Sequence, residues 1–533
     1  MNVDLAIVGS GFAGSILAMI ARRLGRSVVL LEKGRHPRFA IGESSTPLAN
    51  LLLEELARRY DLPRLLPLTK WGTWQKVHPE IGCGLKRGFT FYHHTFGRPF
   101  LRDPQRRDQL LVAASARDEI ADTHWYRPDF DHFLAREAES AGVVYLDEVA
   151  LKDVAEQPDE VVLNGQRRGD PLAIRARFVV DATGPRGFLH RALSLKEAPF
   201  ENFPATQVLY THFTGVRRME DVNFPLTRPS GTFSLAPSRH MLSARLTPPL
   251  PVRNERGEGR PPSAVLLRRT GGEGQPTADT PSHLQARRPS SPHPSPPSAG
   301  GEGEEPAEHP PYPPDAAALH HVFEGGWIWV LPFNNGLTSA GAAVTDTLAE
   351  QLRLSEGEPA WQRLLARLPS VGQQFAEAKA MLPFVHMARL RFRSSAVVGK
   401  RWALLPSAAG VVDPLLSTGF PLTLFGVTRL AAALGEDWGS PRFDQRLATY
   451  AEQTLRELDA TAQMIGALYE NMRDFELFSA LTLLYFAAVS FSESARRLNR
   501  PELAASFLLL DHPQFGRAQR DCCARARQPL TAL

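Results

Sequence analysis

The sequence predicts an α/β protein: a Rossmann-like dinucleotide-binding domain, a β-sheet layer interleaved with it, and a helical C-terminal region. Three observations predict it. The apolar strand Val3-Asp4-Leu5-Ala6-Ile7-Val8 runs straight into the glycine turn Gly9-Ser10-Gly11-Phe12-Ala13-Gly14 and a helix over residues 13–24. Period-two patterning over 203–246 and 327–345 reads as strands. Helix-period segments occupy 442–473 and 477–498, within a C-terminal part that reads as helical from residue 355 onward. At 533 residues the chain is too long for one small core. We expect a discontinuous nucleotide domain over 1–200 and 380–435, a β-rich layer over 201–246 and 315–379, and C-terminal helices over 436–533.

Composition narrows the class. Apolar residues make up 43% and charged residues 22%, as in ordinary globular proteins. The net charge of +4 comes from scattered Arg with no organised basic patch, which argues against nucleic acid as a partner. Cys83, Cys522 and Cys523 have no metal-ligand spacing and read as reduced thiols of a cytoplasmic protein. No signal-peptide pattern is present at the N-terminus. The longest apolar stretch, 477–489, is expected to be too short to span a bilayer. Residues 247–314 are rich in Pro, Gly, Ser, Arg and Glu and contain the related pieces Gly271-Gly272-Glu273-Gly274 and Gly300-Gly301-Glu302-Gly303. Such composition cannot offset its chain entropy by burial, so we expect a disordered insertion, placed within a β-hairpin of the sheet layer.

The glycine turn specifies a phosphate site. Gly9 permits the turn, Gly11 lets backbone approach a pyrophosphate with Phe12 and Ala13, and Gly14 lets helix and strand pack closely. Glu32, followed by Lys33, ends the second strand where a carboxylate can accept from a ribose hydroxyl. This fingerprint serves NAD as well as FAD. Helices are expected at 47–60 and 127–141, and a strand at 178–181. Around them lie Gly42-Glu43-Ser44-Ser45, then Arg127-Pro128-Asp129-Phe130-Asp131-His132-Phe133-Leu134, then Asp181-Ala182-Thr183-Gly184-Pro185-Arg186-Gly187. Together these segments resemble the flavoprotein monooxygenase superfamily, which contains the aromatic hydroxylases and the flavin-dependent halogenases. The resemblance implies FAD, contacted by Gly42, Glu43, Ser44, Arg127, Ala182, Thr183 and Gly184.

Downstream segments narrow the resemblance. Trp327-Ile328-Trp329-Val330-Leu331-Pro332 resembles the halogenase block Trp-x-Trp-x-Ile-Pro, with Leu for Ile; as a strand it places Trp327 and Trp329 on one face. Asp413-Pro414-Leu415-Leu416-Ser417-Thr418-Gly419 resembles the Pro-x-x-Ser-x-Gly block of phenol- and pyrrole-type halogenases, with Val411 where the fuller signature has Phe. A helix is expected at 420–434, and its N-terminal amides suit an anion. Lys86-Arg87-Gly88-Phe89-Thr90-Phe91 resembles the stretch carrying the lysine that receives hypohalous acid. The resemblance implies Lys86, Ser417, Trp327 and Trp329 as catalytic residues, chloride or bromide held at Thr418 and Gly419, and flavin contacts from Asp413, Gly419 and Phe420. A lysine suits this chemistry because burial lowers its pKa and its amine can polarise hypohalous acid.

Two departures matter. Leu416 stands where tryptophan halogenases carry the Glu that removes the ring proton, so a phenol- or pyrrole-like substrate is expected in place of indole. Pro406-Ser407 stands where many members carry Gly-Asp. No second nucleotide fingerprint is present, so reduced FAD is expected from a separate NADH-dependent flavin reductase. Glu43, His93 and His94 are candidate bases that the sequence does not rank. The pairs His93-His94 and His320-His321 sit on strands, where neighbours point to opposite faces, so no shared metal is expected. The competing readings are an FAD monooxygenase or dehydrogenase without halide chemistry, and a non-catalytic flavoprotein.

Overall fold

The computed structural model describes residues 1–103, 105–201, 203–222, 224 and 310–527. The 225–246 part of the β-like stretch and the 247–309 part of the low-complexity tract lie outside the described residues.

The first strand, Asn2–Val8, sits inside a seven-stranded sheet and pairs in parallel with Val28–Leu31 and with Asp170–Asp181. All four residues of Val28–Leu31 are buried, as a strand covered on both faces requires. The helix Phe12–Arg23 buries every residue from Phe12 to Ala21 against this sheet. Pro47–Arg59 starts on Thr46, whose hydroxyl accepts from the Ala49 amide at 3.1 Å, with Pro47 at the first helical position. Arg127–Ser140 likewise opens with a proline in its first turn.

A second sheet of eight strands runs in the order Lys379–Ala380, Thr206–Thr214, Thr338–Thr345, Gly326–Pro332, Ala318–Phe323, Gly88–His94, Gln109–Ala113, with Val385–Met387 also on Thr206–Thr214. One face joins the nucleotide core through Phe89, Phe91, Val208, Trp327 and Trp329. The other carries Leu209, Phe213, Ile328 and Val330 into a smaller core with Trp361, Leu364 and Phe375 from the region of the helices Glu358–Arg367 and Pro369–Gln374. Thr206–Thr214 and Ala318–Phe323, the described strands on either side of residues 225–309, are separated in the sheet by two other strands. The residues adjoining the low-complexity tract on its N-terminal side, on which the hairpin expectation rests, lie outside the described residues.

The helical expectation from residue 355 also fails over part of its length. Between Lys379 and Val411 the chain forms strands of two or three residues, and Trp402–Leu404 joins the nucleotide sheet in parallel with Asp170–Asp181. Segments that short carry no readable period, and distant partners decide them. The helices Gly419–Glu436, Arg442–Glu470 and Phe475–Arg497 follow as predicted. The stretch read as too short for a bilayer belongs to the 23-residue Phe475–Arg497, which with Leu415–Glu436 is long and apolar enough to cross one. Their most apolar windows are 50% and 72% buried within the protein, respectively. All three cysteines are free thiols.

Candidate active site

The glycine turn is built as its spacing requires. Gly9 has φ +104°, and a Cβ there would lie 2.6 Å from the Ala182 carbonyl oxygen. A Cβ on Gly14 would lie 2.0 Å from the Gly9 carbonyl oxygen, so helix and strand touch through backbone. Glu32 is buried beside the turn and accepts from the Ser10 hydroxyl at 2.7 Å, the Gly34 amide at 3.0 Å and Arg38 at 3.1 Å. Burial works to raise its pKa, but the Arg38 charge and these donors prevail and hold it at about 2. His36 Nε2 meets the same Ser10 hydroxyl at 2.7 Å. Lys33, expected here, is exposed. Sequence reasoning missed Ser10, His36 and Arg38; a carboxylate followed by His and Arg four and six positions later was the available signal.

The next stretch of the expected cofactor path centres on Arg127. It is buried, forks onto both oxygens of buried Asp131 at 2.9 and 2.7 Å, and donates to the Gly42 carbonyl at 2.8 Å. Its guanidinium lies 5.2 Å from the Phe12 ring centre. Gly42, at φ +89°, leaves its Cβ position 3.7 Å from Arg127 Nη1 and 3.9 Å from Phe420. Phe420 in turn packs on Phe12 and Trp125. The sequence blocks at 9–14, 42–45, 127 and 420 therefore meet. These residues fit FAD: side-chain-free backbone at Gly11 and Gly42 faces the guanidinium, and His36 Nδ1 and Arg38 Nε are buried without a partner among the described residues. At the late turn, the Asp181 carboxylate accepts from the Thr183 amide and hydroxyl and from the Leu189 amide. This fixes Ala182, Thr183 and Gly184 (φ +81°) beside Gly9.

Lys86 is wholly buried. Its Nζ donates to the Ser44 hydroxyl at 2.8 Å and to the Ser45 carbonyl, and sits 3.7 Å from the Phe89 ring centre. Cys83–Lys86 pairs with Asp122–Trp125, which sets Asp122 opposite Lys86 and His124 opposite Gly84. Cross-strand partners share a face, so Lys86, Asp122 and His124 lie on one side of this ribbon. Burial pushes the ammonium well below its ordinary pKa, opposed by Asp122, and pushes the Asp122 carboxyl up, opposed by Lys86. Asn50 donates to Asp122 Oδ1 at 2.9 Å. Burial, reinforced by the Lys86 charge, lowers the pKa of His124 and takes His320 to about 3, so both are neutral imidazoles. Asp122, Asn50 and His124 had no signature in the sequence.

The two remaining blocks are tied together by Asp413. Its carboxylate accepts from Trp327 Nε1 at 3.2 Å, from the Leu415 amide at 2.9 Å and from the Tyr469 hydroxyl at 2.8 Å. Burial nevertheless pushes its pKa up to about 7. Both oxygens of this expected flavin contact are thus engaged by the protein. Leu416 (φ +63°) and Ser417 (φ +56°) stand in the left-handed region, a strained turn held by Asp413 and by the Tyr485 hydroxyl on the Leu416 carbonyl at 2.9 Å. Thr418 is buried, while Gly419 begins the helix, exposed, with nothing within 4 Å of its Cβ position. Trp327 and Trp329 do share a face, 5.7 Å apart. Gly341 makes room for Trp329, because a Cβ there would lie 2.5 Å from the indole. Trp327 stacks on His320 at 5.2 Å, and His320 lies 5.8 Å from the Phe89 ring that Lys86 caps. The lysine and tryptophan blocks are therefore linked through contacting rings.

The candidate bases separate. Glu43 Oε1 meets His212 Nε2 at 2.8 Å, in the buried layer. His93 bonds Asp108 and the Met472 carbonyl, and stacks on Phe475. His94 bonds His321 at 2.9 Å, and the two lie toward the smaller core, whereas His320 stacks on Trp327. Adjacent histidines thus do point to opposite faces. Two surface cavities, one lined by 355–359 with 380–386 and one by Arg23, Leu24 and 431–436, contain none of the motif residues.

Residues 4–241 match the FAD dependent oxidoreductase family and residues 305–478 the Tryptophan halogenase family. Monodechloroaminopyrrolnitrin halogenase PrnC of Pseudomonas fluorescens is 26% identical over 91% of this chain and 70% of its own. Tetracycline 7-halogenase of Kitasatospora aureofaciens is 27% identical over 91% and 73%. Among solved structures, halogenase PltM in complex with phloroglucinol and FAD superposes with a TM-score of 0.72 at 22% identity, covering 99% of this chain and 93% of that one. With two family matches that together span both the glycine turn and the Trp-x-Trp and Pro-x-x-Ser-x-Gly blocks, and relatives similar over 91% of its length, this chain is an FAD-dependent enzyme similar to the flavin-dependent halogenases.

Proposed function

We propose that the protein halogenates a small electron-rich aromatic of the phenol or pyrrole class, with chloride or bromide as co-substrate. The observation that carries this reading is the placement of Lys86: a fully buried ammonium held on the Gly42–Ser45 loop and linked through Phe89 and His320 to Trp327. Reduced FAD, delivered by a separate NADH-dependent flavin reductase, supplies with oxygen the oxidation of halide to hypohalous acid. Gly9, Gly11, Phe12, Ala13 and Gly14 receive its pyrophosphate at a helix N-terminus, and Glu32 receives a ribose hydroxyl. Gly42, Glu43, Ser44, Arg127, Ala182, Thr183, Gly184, Asp413, Gly419 and Phe420 flank the rest of it. The Thr418 and Gly419 amides hold the halide beside Ser417. Lys86 hydrogen-bonds hypohalous acid and polarises its oxygen–halogen bond toward the substrate, while Trp327 and Trp329 close the wall and exclude water. Relatives named as a monodechloroaminopyrrolnitrin halogenase and a tetracycline 7-halogenase, a neighbour in complex with phloroglucinol, and Leu416 in place of a carboxylate support an aromatic other than indole. We place the enzyme in the cytoplasm, where reduced flavin is made.

The test is product mass from the FAD-loaded enzyme with a flavin reductase, NADH and bromide, against a panel of phenols and pyrroles. A brominated product is expected, lost in Lys86→Ala with FAD binding retained. A hydroxylated product indifferent to halide overturns the reading.

A further inference from the structure

The Glu43–His212 pair joins the flavin loop to the second sheet, and no motif contains His212. Its two side chains are 3% and 4% exposed, with Nε2 and Oε1 2.8 Å apart. We propose, resting on the halogenase reading above, that His212, oriented by Glu43, is the base that takes the hydroxyl proton of a phenolic substrate.

Three features carry the assignment. A carboxylate on Nε2 favours the tautomer with hydrogen there and leaves the Nδ1 lone pair as an acceptor, the base-and-orienter arrangement of many catalytic histidines. The His212 ring makes no second hydrogen bond among the described residues. Around it stand the rings of Phe39 at 5.0 Å, Tyr126 at 6.1 Å and Phe333 at 6.2 Å, walls suited to stacking an aromatic. Phe39, the nearest of these rings, is 44% exposed. Finally, Glu43 directly precedes Ser44, whose hydroxyl accepts from Lys86 Nζ, so the base and the halogen donor are held by successive residues of one loop.

The chemistry selects phenols. The O–H bond breaks and its proton moves to His212 Nδ1, which concentrates electron density on the ring. Ring electrons then form the carbon–halogen bond as the oxygen–halogen bond of hypohalous acid breaks. The departing hydroxide takes a proton from the Lys86 ammonium and leaves as water. The ring C–H yields its proton to the Lys86 amine, and His212 returns its proton to the phenolate oxygen. A pyrrole N–H is too weakly acidic for this base, and Leu416 offers no carboxylate of the kind indole halogenation uses.

The test compares wild type with His212→Gln and Glu43→Gln, each FAD-loaded and checked for folding by circular dichroism. 4-Nitrophenol is titrated in at a pH where the free probe is mostly neutral, and the phenolate absorption band is read without turnover. Wild type is expected to show bound phenolate, His212→Gln none, and Glu43→Gln a reduced band. In turnover, the preference for a phenol over its methyl ether is expected to fall on the order of 100-fold in His212→Gln. Equal bands in wild type and His212→Gln, or a wild type indifferent to methylation, overturns the assignment. Separately, wild type is expected to brominate monochlorodimedone, a trap that needs no base. Failure there overturns the halogenase reading, whereas trap bromination with equal bands overturns the base alone.

Discussion

Asp413→Asn tests the most unusual electrostatic feature of the site. Asp413 is buried with its pKa raised from 3.8 to about 7. A carboxyl whose folded pKa lies above its unfolded value binds its proton more tightly in the folded state, so stability falls as pH rises between the two values. At about 1.4 kcal/mol per pH unit, keeping this carboxylate ionised in the folded protein costs about 4 kcal/mol, absent below about pH 4 and fully present above about pH 7. Asn preserves the volume and one acceptor for Trp327 and Leu415 but carries no charge. Glu32 acts in the opposite sense: its folded pKa is lowered to about 2, so its contribution is present above its unfolded value near 4.5 and lost in acid. The difference between variant and wild type removes that background. The assay is urea unfolding of both FAD-free proteins, followed by tryptophan fluorescence at several pH values. The stability of Asp413→Asn relative to wild type should rise by about 1.4 kcal/mol per pH unit between about pH 4 and 7. Parallel profiles would refute the buried-carboxylate assignment.

Three further outcomes follow from the same structure. Gly14→Ala places a Cβ 2.0 Å from the Gly9 carbonyl oxygen, so the purified variant should contain no FAD by visible absorption, whereas wild-type cofactor content would contradict the close packing. Asp122→Asn removes the charge that holds the Lys86 pKa up against burial, so the Lys86-dependent limb of the kcat profile should move to lower pH; an unmoved or upward-shifted limb counts against the pairing. Joining residue 246 to 310, which keeps buried Tyr312 and its hydroxyl bond to the Phe89 carbonyl, should leave FAD content unchanged, because loop-closure entropy grows slowly with length, and loss of soluble protein would assign the tract a structural task.

Legibility tracks sequence distance. The Rossmann unit is readable because its strand, turn, helix and acidic residue all fall within residues 2–32, where period and glycine spacing act directly on the backbone. The blocks at Lys86, Trp327 and Ser417 are recognisable, but their connection is not. The short strands between Lys379 and Val411 escape because two or three residues hold no period, and the strand order of the second sheet escapes because neighbours such as Gly88–His94 and Ala318–Phe323 are distant in sequence.

Residues 1–34 by themselves determined the nucleotide fold, because it depends on local backbone geometry, and the downstream motifs carried, as contiguous patterns, the resemblance that implied FAD and the family. Tertiary structure alone decided what each charged group faces. It buried Arg127 onto Asp131, set Asp122 and His124 beside Lys86, turned Asp413 onto Trp327 and Tyr469, and brought His212 to Glu43 across 169 positions. The physical reason is that burial and Coulomb interaction act through space, and each of those partnerships is closed by sheet register and helix packing after the chain has folded.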